Sequence, residues 1–201
     1  MRLVILLVYL VLICLYVVVK SCTDFYMRFD EFHLSGRTLD LGSQANWTFS
    51  TWPLGQKSNE LSDWEVKYGS LGLTANWFGD NNWLATSFYG DGINTAGLSC
   101  SCLVLEGTQY EEKSTSQQNV FAGLFCHYAV QSFESVLDLQ AALESISIYG
   151  PDELAQHFVV RDASGKSLII EVLEGKKQVY LDLNDGTTGY GITTNEPSFD
   201  W

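Results

Sequence analysis

Basic residues are scarce in this chain. Lysine and arginine number 11 against 24 aspartates and glutamates, and no run of basic residues occurs. Neutralising phosphates takes clustered cations, so a formal net charge of -13 argues against nucleic acid or an anionic lipid surface as partner. Histidine is equally sparse. His33, His127 and His157 are the only three, which leaves little material for a cysteine–histidine dyad. Cysteine is too thin for a disulfide scaffold. Of the five, Cys14 lies in an apolar leader; if Cys22 is a reduced nucleophile, then Cys100, Cys102 and Cys126 can form at most one intrachain bridge. Cys126-His127 matches no zinc-ligand spacing, so no metal and no cofactor is expected. Internal repeats, low-complexity tracts and a domain linker are also missing. With 46% hydrophobic and 17% charged residues, what remains reads as one domain able to bury a sizeable core.

The leader consists of Arg2, an apolar run from Leu3 to Val19, and then Lys20-Ser21-Cys22. Val19 and Ser21 are the small residues a signal peptidase needs three and one positions before its cut. A cut after Ser21 removes residues 1–21, takes the net charge to -15, and leaves Cys22 as a new N-terminus bearing a thiol and a free α-amine. The product would be secreted or periplasmic. A retained signal anchor is the competing reading, with the chain then held at a membrane, and Val19-Lys20-Ser21 makes a poor lipobox.

Along the chain, short strand-like segments alternate with turns. Strands are expected at Phe25 to Phe29 and Glu31 to Leu34, with Ser35-Gly36-Arg37 opening a loop. More strands are expected from Ser70 to Leu105, where alternation puts Cys100 and Cys102 on one face. Val136, Leu139, Leu143 and Ile146 recur at helical spacing, with Ser132 or Ser135 as cap. Cys126-His127 is read as strand, its side chains on opposite faces. His157 to Asp162, Ser167 to Leu173 and Gln178 to Leu183, joined by short connections, predict an antiparallel meander.

Four separated motifs stand out: Ser21-Cys22-Thr23-Asp24-Phe25, Gly36-Arg37-Thr38-Leu39-Asp40, Asp91-Gly92-Ile93-Asn94-Thr95-Ala96-Gly97-Leu98, and Thr193-Thr194-Asn195-Glu196-Pro197-Ser198-Phe199-Asp200-Trp201. Lesser echoes lie at Trp64 to Gly69, His157 to Ser167 and Ile170-Glu171. Each is weak alone, since Asp, Asn, Gly and Pro populate ordinary turns, but their joint order and spacing resembles the choloylglycine hydrolase and penicillin V acylase family of N-terminal-nucleophile cysteine hydrolases. The resemblance spans Cys22 to Trp201.

That resemblance implies an α+β fold, a four-layer αββα sandwich, and a hydrolase of linear amides acting on N-acyl substrates such as conjugated bile acids or penicillin V. It casts Cys22 as nucleophile with its α-amine as base, Arg37 as the cation favouring the thiolate, Asp40 as the group orienting the α-amine, and Asn94 and Asn195 as oxyanion donors. Asn94 leans weakly towards bile-salt-like members. Family members continue well past the Thr-Asn-x-Pro motif and there supply another active-site arginine, so residues 22–201 are expected to be the N-terminal part of one domain. The alternative is a non-catalytic, membrane-anchored or truncated relic with a binding role. Whether the chain assembles as a homo-oligomer is left open.

Overall fold

The computed structural model describes residues 22–29, 32–40, 47–55, 64–75, 88–184, 191–196 and 198–199. The leader at 1–21, a turn expected at Gly79-Asp80-Asn81-Asn82, and Pro197, Asp200 and Trp201 of the last motif lie outside them. Three strands, β1 (Thr23–Phe29), β2 (Phe32–Thr38) and a late strand, β12 (Ile192–Thr194), form one sheet in the order β12-β1-β2. A second sheet has seven strands: β3 (Trp47–Trp52), β4 (Ser70–Ala75), β5 (Tyr89–Asn94), β6 (Ser99–Val104), β9 (Gln156–Arg161), β10 (Ser167–Leu173) and β11 (Lys176–Asp182), in the order β11-β10-β9-β6-β5-β4-β3. Every neighbouring pair in both sheets is antiparallel. Helices α1 (Phe125–Ser132) and α2 (Val136–Ala142) cover one face of the large sheet, next to a small parallel pair of β7 (Gln118–Phe121) and β8 (Ile146–Tyr149).

Strand alternation divides the large sheet between two cores. Phe158 and Val160 of β9, with Leu168, Ile170 and Val172 of β10, join Phe125, Ala129 and Leu139 of the helices. The intervening Val159 and Ile169 face the small sheet and pack with Leu103 and Cys22. Because β9 and β10 are covered on both sides, β10 reads as a near-continuous apolar run and β9 carries Phe158-Val159-Val160 between polar ends. The described layers are helix, sheet and sheet, three of the four in an αββα sandwich. The meander expected from the sequence is present as β9-β10-β11.

Three local expectations are corrected. Ser35-Gly36-Arg37 is strand, not loop: β2 pairs with β1 through Thr38, with Gly36 opposite Phe25. A Cβ at Gly36 would come within 2.8 Å of the Phe25 ring, so glycine is here for close approach across the ladder rather than for a turn. Ile146 belongs to β8, because α2 ends at Ala142 and a single 3-10 turn, Leu143–Ser145, leads straight into the strand. Cys126-His127 lies on α1, a helix with all eight residues buried, whose all-round burial erases the periodicity that reveals surface helices. Cys126 is joined to Cys100 in a disulfide, while His127 stacks on Tyr89 at 4.5 Å between ring centroids and hydrogen-bonds Gln131.

Candidate active site

Cys22 is 1% exposed, wedged between the sheets among Leu103, Val159 and Ile169, with Leu39, Tyr180 and Phe199 at the margin. Two neighbours follow from ladder register. Thr23 pairs with Thr38 on one side and with Thr194 on the other, so one further step along each ladder sets Leu39 and Asn195 opposite Cys22. The glycine-bearing motif around Arg37 and the last motif around Asn195 therefore flank the thiol because both are strands of one small sheet.

Arg37, beside Asp24 in the register, sends its side chain into the large sheet. Its Nη1 donates to the Gly90 carbonyl at 2.9 Å and the Cys102 carbonyl at 2.8 Å, and lies 3.2 Å from Asp91 Oδ2. The Cys22 thiol is among the groups whose charge acts on it. Burial alone would lower the Arg37 pKa, but Asp91 and then the Cys102 and Cys22 sulfurs outweigh it, and the guanidinium is held charged more firmly than usual. Asp91 is pushed the other way: burial raises its carboxyl above the usual range despite Arg37 and a 2.6 Å bond from Ser101 Oγ. Asp24, bound to Arg161, is likewise raised by burial, which exceeds the lowering by Arg161.

The remaining candidates are placed differently. Asp40 is exposed just past β2, beyond Leu39. Asn195 is half-buried, and its Oδ1 is enclosed without a hydrogen-bond partner. Asn94 is fully engaged: Nδ2 donates to the carbonyls of Val130 at 2.9 Å and Phe133 at 2.7 Å, while Oδ1 accepts from the amides of Ala96 and Leu98. Donation from Asn94 to an oxyanion would require one of those bonds to open. In this arrangement its amide ties the β5–β6 turn to the end of α1.

Several charged residues near the site lie within the quoted motifs and echoes but were given no role from the sequence. They are Asp91, the Asp24–Arg161 pair, and the pair His157–Glu171, whose Nδ1 and Oε1 are 3.1 Å apart with both side chains at most 1% exposed. The available signal was a charge inside an apolar strand, as in Ser-Leu-Ile-Ile-Glu-Val-Leu of β10. Among the described residues no three His, Cys, Asp or Glu side chains cluster as metal ligands, and no helix is long and apolar enough to cross a membrane. A cavity of about 300 Å³ lies on the far side of Arg37, between Asp91, Ser101, Leu71, Ile93 and Arg161. Cys22 does not line it.

A thiol beside a fixed guanidinium, enclosed between two sheets, suits acyl transfer, and comparison with known proteins gives that chemistry a family. The sequence model of the linear amide C-N hydrolases, choloylglycine hydrolase family, matches residues 22–201. The chain belongs to that family. It is 27% identical over 184 residues to a bile salt hydrolase/transferase of Clostridium perfringens, covering 86% of this chain and 52% of that protein. Over 148 residues it is 30% identical to a penicillin V acylase of Pectobacterium atrosepticum, covering 69% and 37%. The fold superposes on conjugated bile acid hydrolase from Clostridium perfringens with a TM-score of 0.75 at 25% identity, covering 90% of this chain and 55% of the other. A penicillin V acylase from Agrobacterium tumefaciens gives a TM-score of 0.72 at 22% identity, a likeness of fold alone. The chain thus spans about half the length of the relatives it matches or less.

Proposed function

We propose that this chain carries the nucleophile of a secreted or periplasmic linear-amide hydrolase, and that Cys22 becomes that nucleophile when residues 1–21 are removed. The observation that carries the reading is Cys22, the first residue of the family match, buried between the sheets and electrostatically coupled to the Arg37 guanidinium. A free α-amine on Cys22 titrates near pH 8 in a peptide, so it can accept the thiol proton close to neutrality. The thiolate then adds to the amide carbonyl, the tetrahedral oxyanion collapses to a thioester, and the departing amine takes the proton from the α-ammonium. Water, deprotonated by the same amine, attacks the thioester, releases the carboxylic acid and restores the thiol. Arg37 stabilises the thiolate by charge. In this reading Asp40, just past β2, holds the α-amine, and the Asn195 amide donates to the oxyanion. A lost donor of this kind typically costs about 2.7 to 4 kcal/mol in the transition state. Asn94 supports the turn unless its bonds rearrange. The substrates proposed are N-acyl amides such as conjugated bile acids or penicillin V.

Intact mass and N-terminal sequencing of the secreted protein, followed by incubation with an N-acyl amide, test the reading. A chain starting at Cys22 that loses all amide hydrolysis as Cys22→Ala supports it. A mature chain still starting at Met1, or a Cys22→Ala protein with full activity, defeats it.

A further inference from the structure

The segment after β12 is fastened at a second point the motif itself does not contain. Both carboxylate oxygens of Glu171 accept the backbone N–H of Phe199, at 3.0 and 3.1 Å. Glu171 is 0% exposed on β10, and its Oε1 also meets His157 Nδ1 of the neighbouring strand β9 at 3.1 Å. Phe199 packs against the cluster around Cys22, with its ring 4.9 Å from that of Tyr180. At the other end, β12 pairs with β1 up to Thr194 opposite Thr23. Asn195 is thus carried between two anchors, one a strand ladder and the other a carboxylate set into the opposite sheet.

We infer that His157 and Glu171 form a latch that holds Phe199 against the cluster around Cys22, so that Glu171 is a positioning residue for Asn195. A buried carboxylate is costly unless bonded, and in β10 an apolar residue would pack at no such cost. Retaining the charge makes physical sense if the carboxylate grips something. What it grips is the one main-chain donor at Phe199, and His157 fixes the angle at which it does so. The role of Asn195 in this inference rests on the proposed amidase reading; the latch on the segment does not.

Amide hydrogen exchange, and iodoacetamide labelling read peptide by peptide under non-reducing conditions, test it on the whole chain. In the wild type the Phe199 amide is expected to be protected to the degree of Ile192–Thr194, and Cys22 to label slowly. Glu171→Leu removes the acceptor, and a lost bond to a charged group corresponds to roughly tenfold or faster exchange at Phe199. Cys22 labelling should rise by about the same factor, because the same opening uncovers it, while Cys102 labelling stays at the wild-type rate. Glu171→Gln keeps an oxygen for the Phe199 N–H, with His157 able to change tautomer and accept from the new amide, so it should restore both rates most of the way. The latch is overturned by an unprotected Phe199 amide in the wild type, which decides the matter even if Glu171→Leu does not fold. It is equally overturned by wild-type rates in Glu171→Leu, or by Cys102 labelling that rises in step with Cys22, the sign of general loosening. A wild-type chain that never acylates Cys22 removes the amidase reading and leaves the latch standing, since neither readout needs turnover.

Discussion

On its helix side the seven-stranded sheet presents Phe158, Val160, Leu168, Ile170 and Val172 to Phe125, Ala129, Val130 and Leu139, all at most 1% exposed. On its other side the same strands present His157, Arg161 and Glu171, joined by Asp91 of β5, to a sheet of only three strands, and Phe49, Leu71 and Ile93 remain exposed. Antiparallel pairing ties the two faces together residue by residue, so the contrast comes entirely from side chains. Closely packed apolar groups hold the helix face, where a change of volume is felt but a change of pH between 4 and 7 is not. Buried charges held by specific partners make up the inter-sheet face, and Cys22 lies on that side. Stability that depends on charge is concentrated on the side where Cys22 lies.

Paired substitutions can break that contrast. Phe125→Ala deletes a ring 4.5 Å from Phe158 and should cost about 3 to 5 kcal/mol by chemical denaturation, with no pH dependence. Arg161→Leu leaves Asp24 buried without its partner and should cost about 3 to 5 kcal/mol at neutral pH, but the deficit should shrink in acid. Asp24 has a folded pKa above its ordinary value because burial penalises the charge. Once protonated it no longer needs Arg161. Equal deficits at pH 4 and pH 7 for Arg161→Leu would mean that the inter-sheet face is held by packing like the other.

Alkaline titration separates the two faces more gently. Cys102 faces the helix core, and burial pushes its thiol up to about 12. The unfolded chain then gives up this proton first, so stability is intact below about pH 9. It should fall by about 1.4 kcal/mol per pH unit between there and about pH 12. Cys102→Ala should remove that slope. Tyr89 and Tyr128, also pushed to about 12 by burial, add to the fall beyond pH 10. Denaturation midpoints measured from pH 8 to 11 on both proteins give the difference.

The meander could be read from its short connections, and the placement of Cys100 with Cys102 on one face from the alternation of β6. What could not be read has specific causes. The composition of Ser35-Gly36-Arg37 is that of a turn, and only the Phe25 ring across the ladder explains why a strand keeps glycine there. Helix α1 is buried on all sides and so has no polar face to show. At the site, Cys22, Arg37 and Asn195 were visible as separated motifs, and the three-stranded sheet brings them side by side. Asp91, Arg161 and Glu171 lay in the quoted motifs and echoes, but their roles could not be read, since the groups that neutralise them come from other elements. The saturation of Asn94 was invisible, because its carbonyl partners belong to the backbone at Val130 and Phe133, and backbone carbonyls leave no mark in a sequence.

The smallest expected effect tests whether the helix face is as independent of the site as its packing suggests. Ser135 caps α2, its Oγ accepting the Asp138 N–H at 3.2 Å and donating to Asp138 Oδ2 at 2.6 Å. Ser135→Ala removes both bonds, and loss of such a cap costs about 1 kcal/mol in typical hosts. The cost here should fall at or below that value, because the carboxylate of Asp162, just beyond β9, separately accepts the Val136 N–H at 3.0 Å and keeps the first turn in place. Asp162 also binds Ser164 and the Lys166 amide, so Asp162→Ala should cost more than Ser135→Ala while touching the same helix end. If the two faces are separable, Ser135→Ala leaves Cys22 labelling at its wild-type rate. Faster labelling would mean that α2 reaches the thiol through the sheet, and the division between a packed face and a charged one would have to be abandoned.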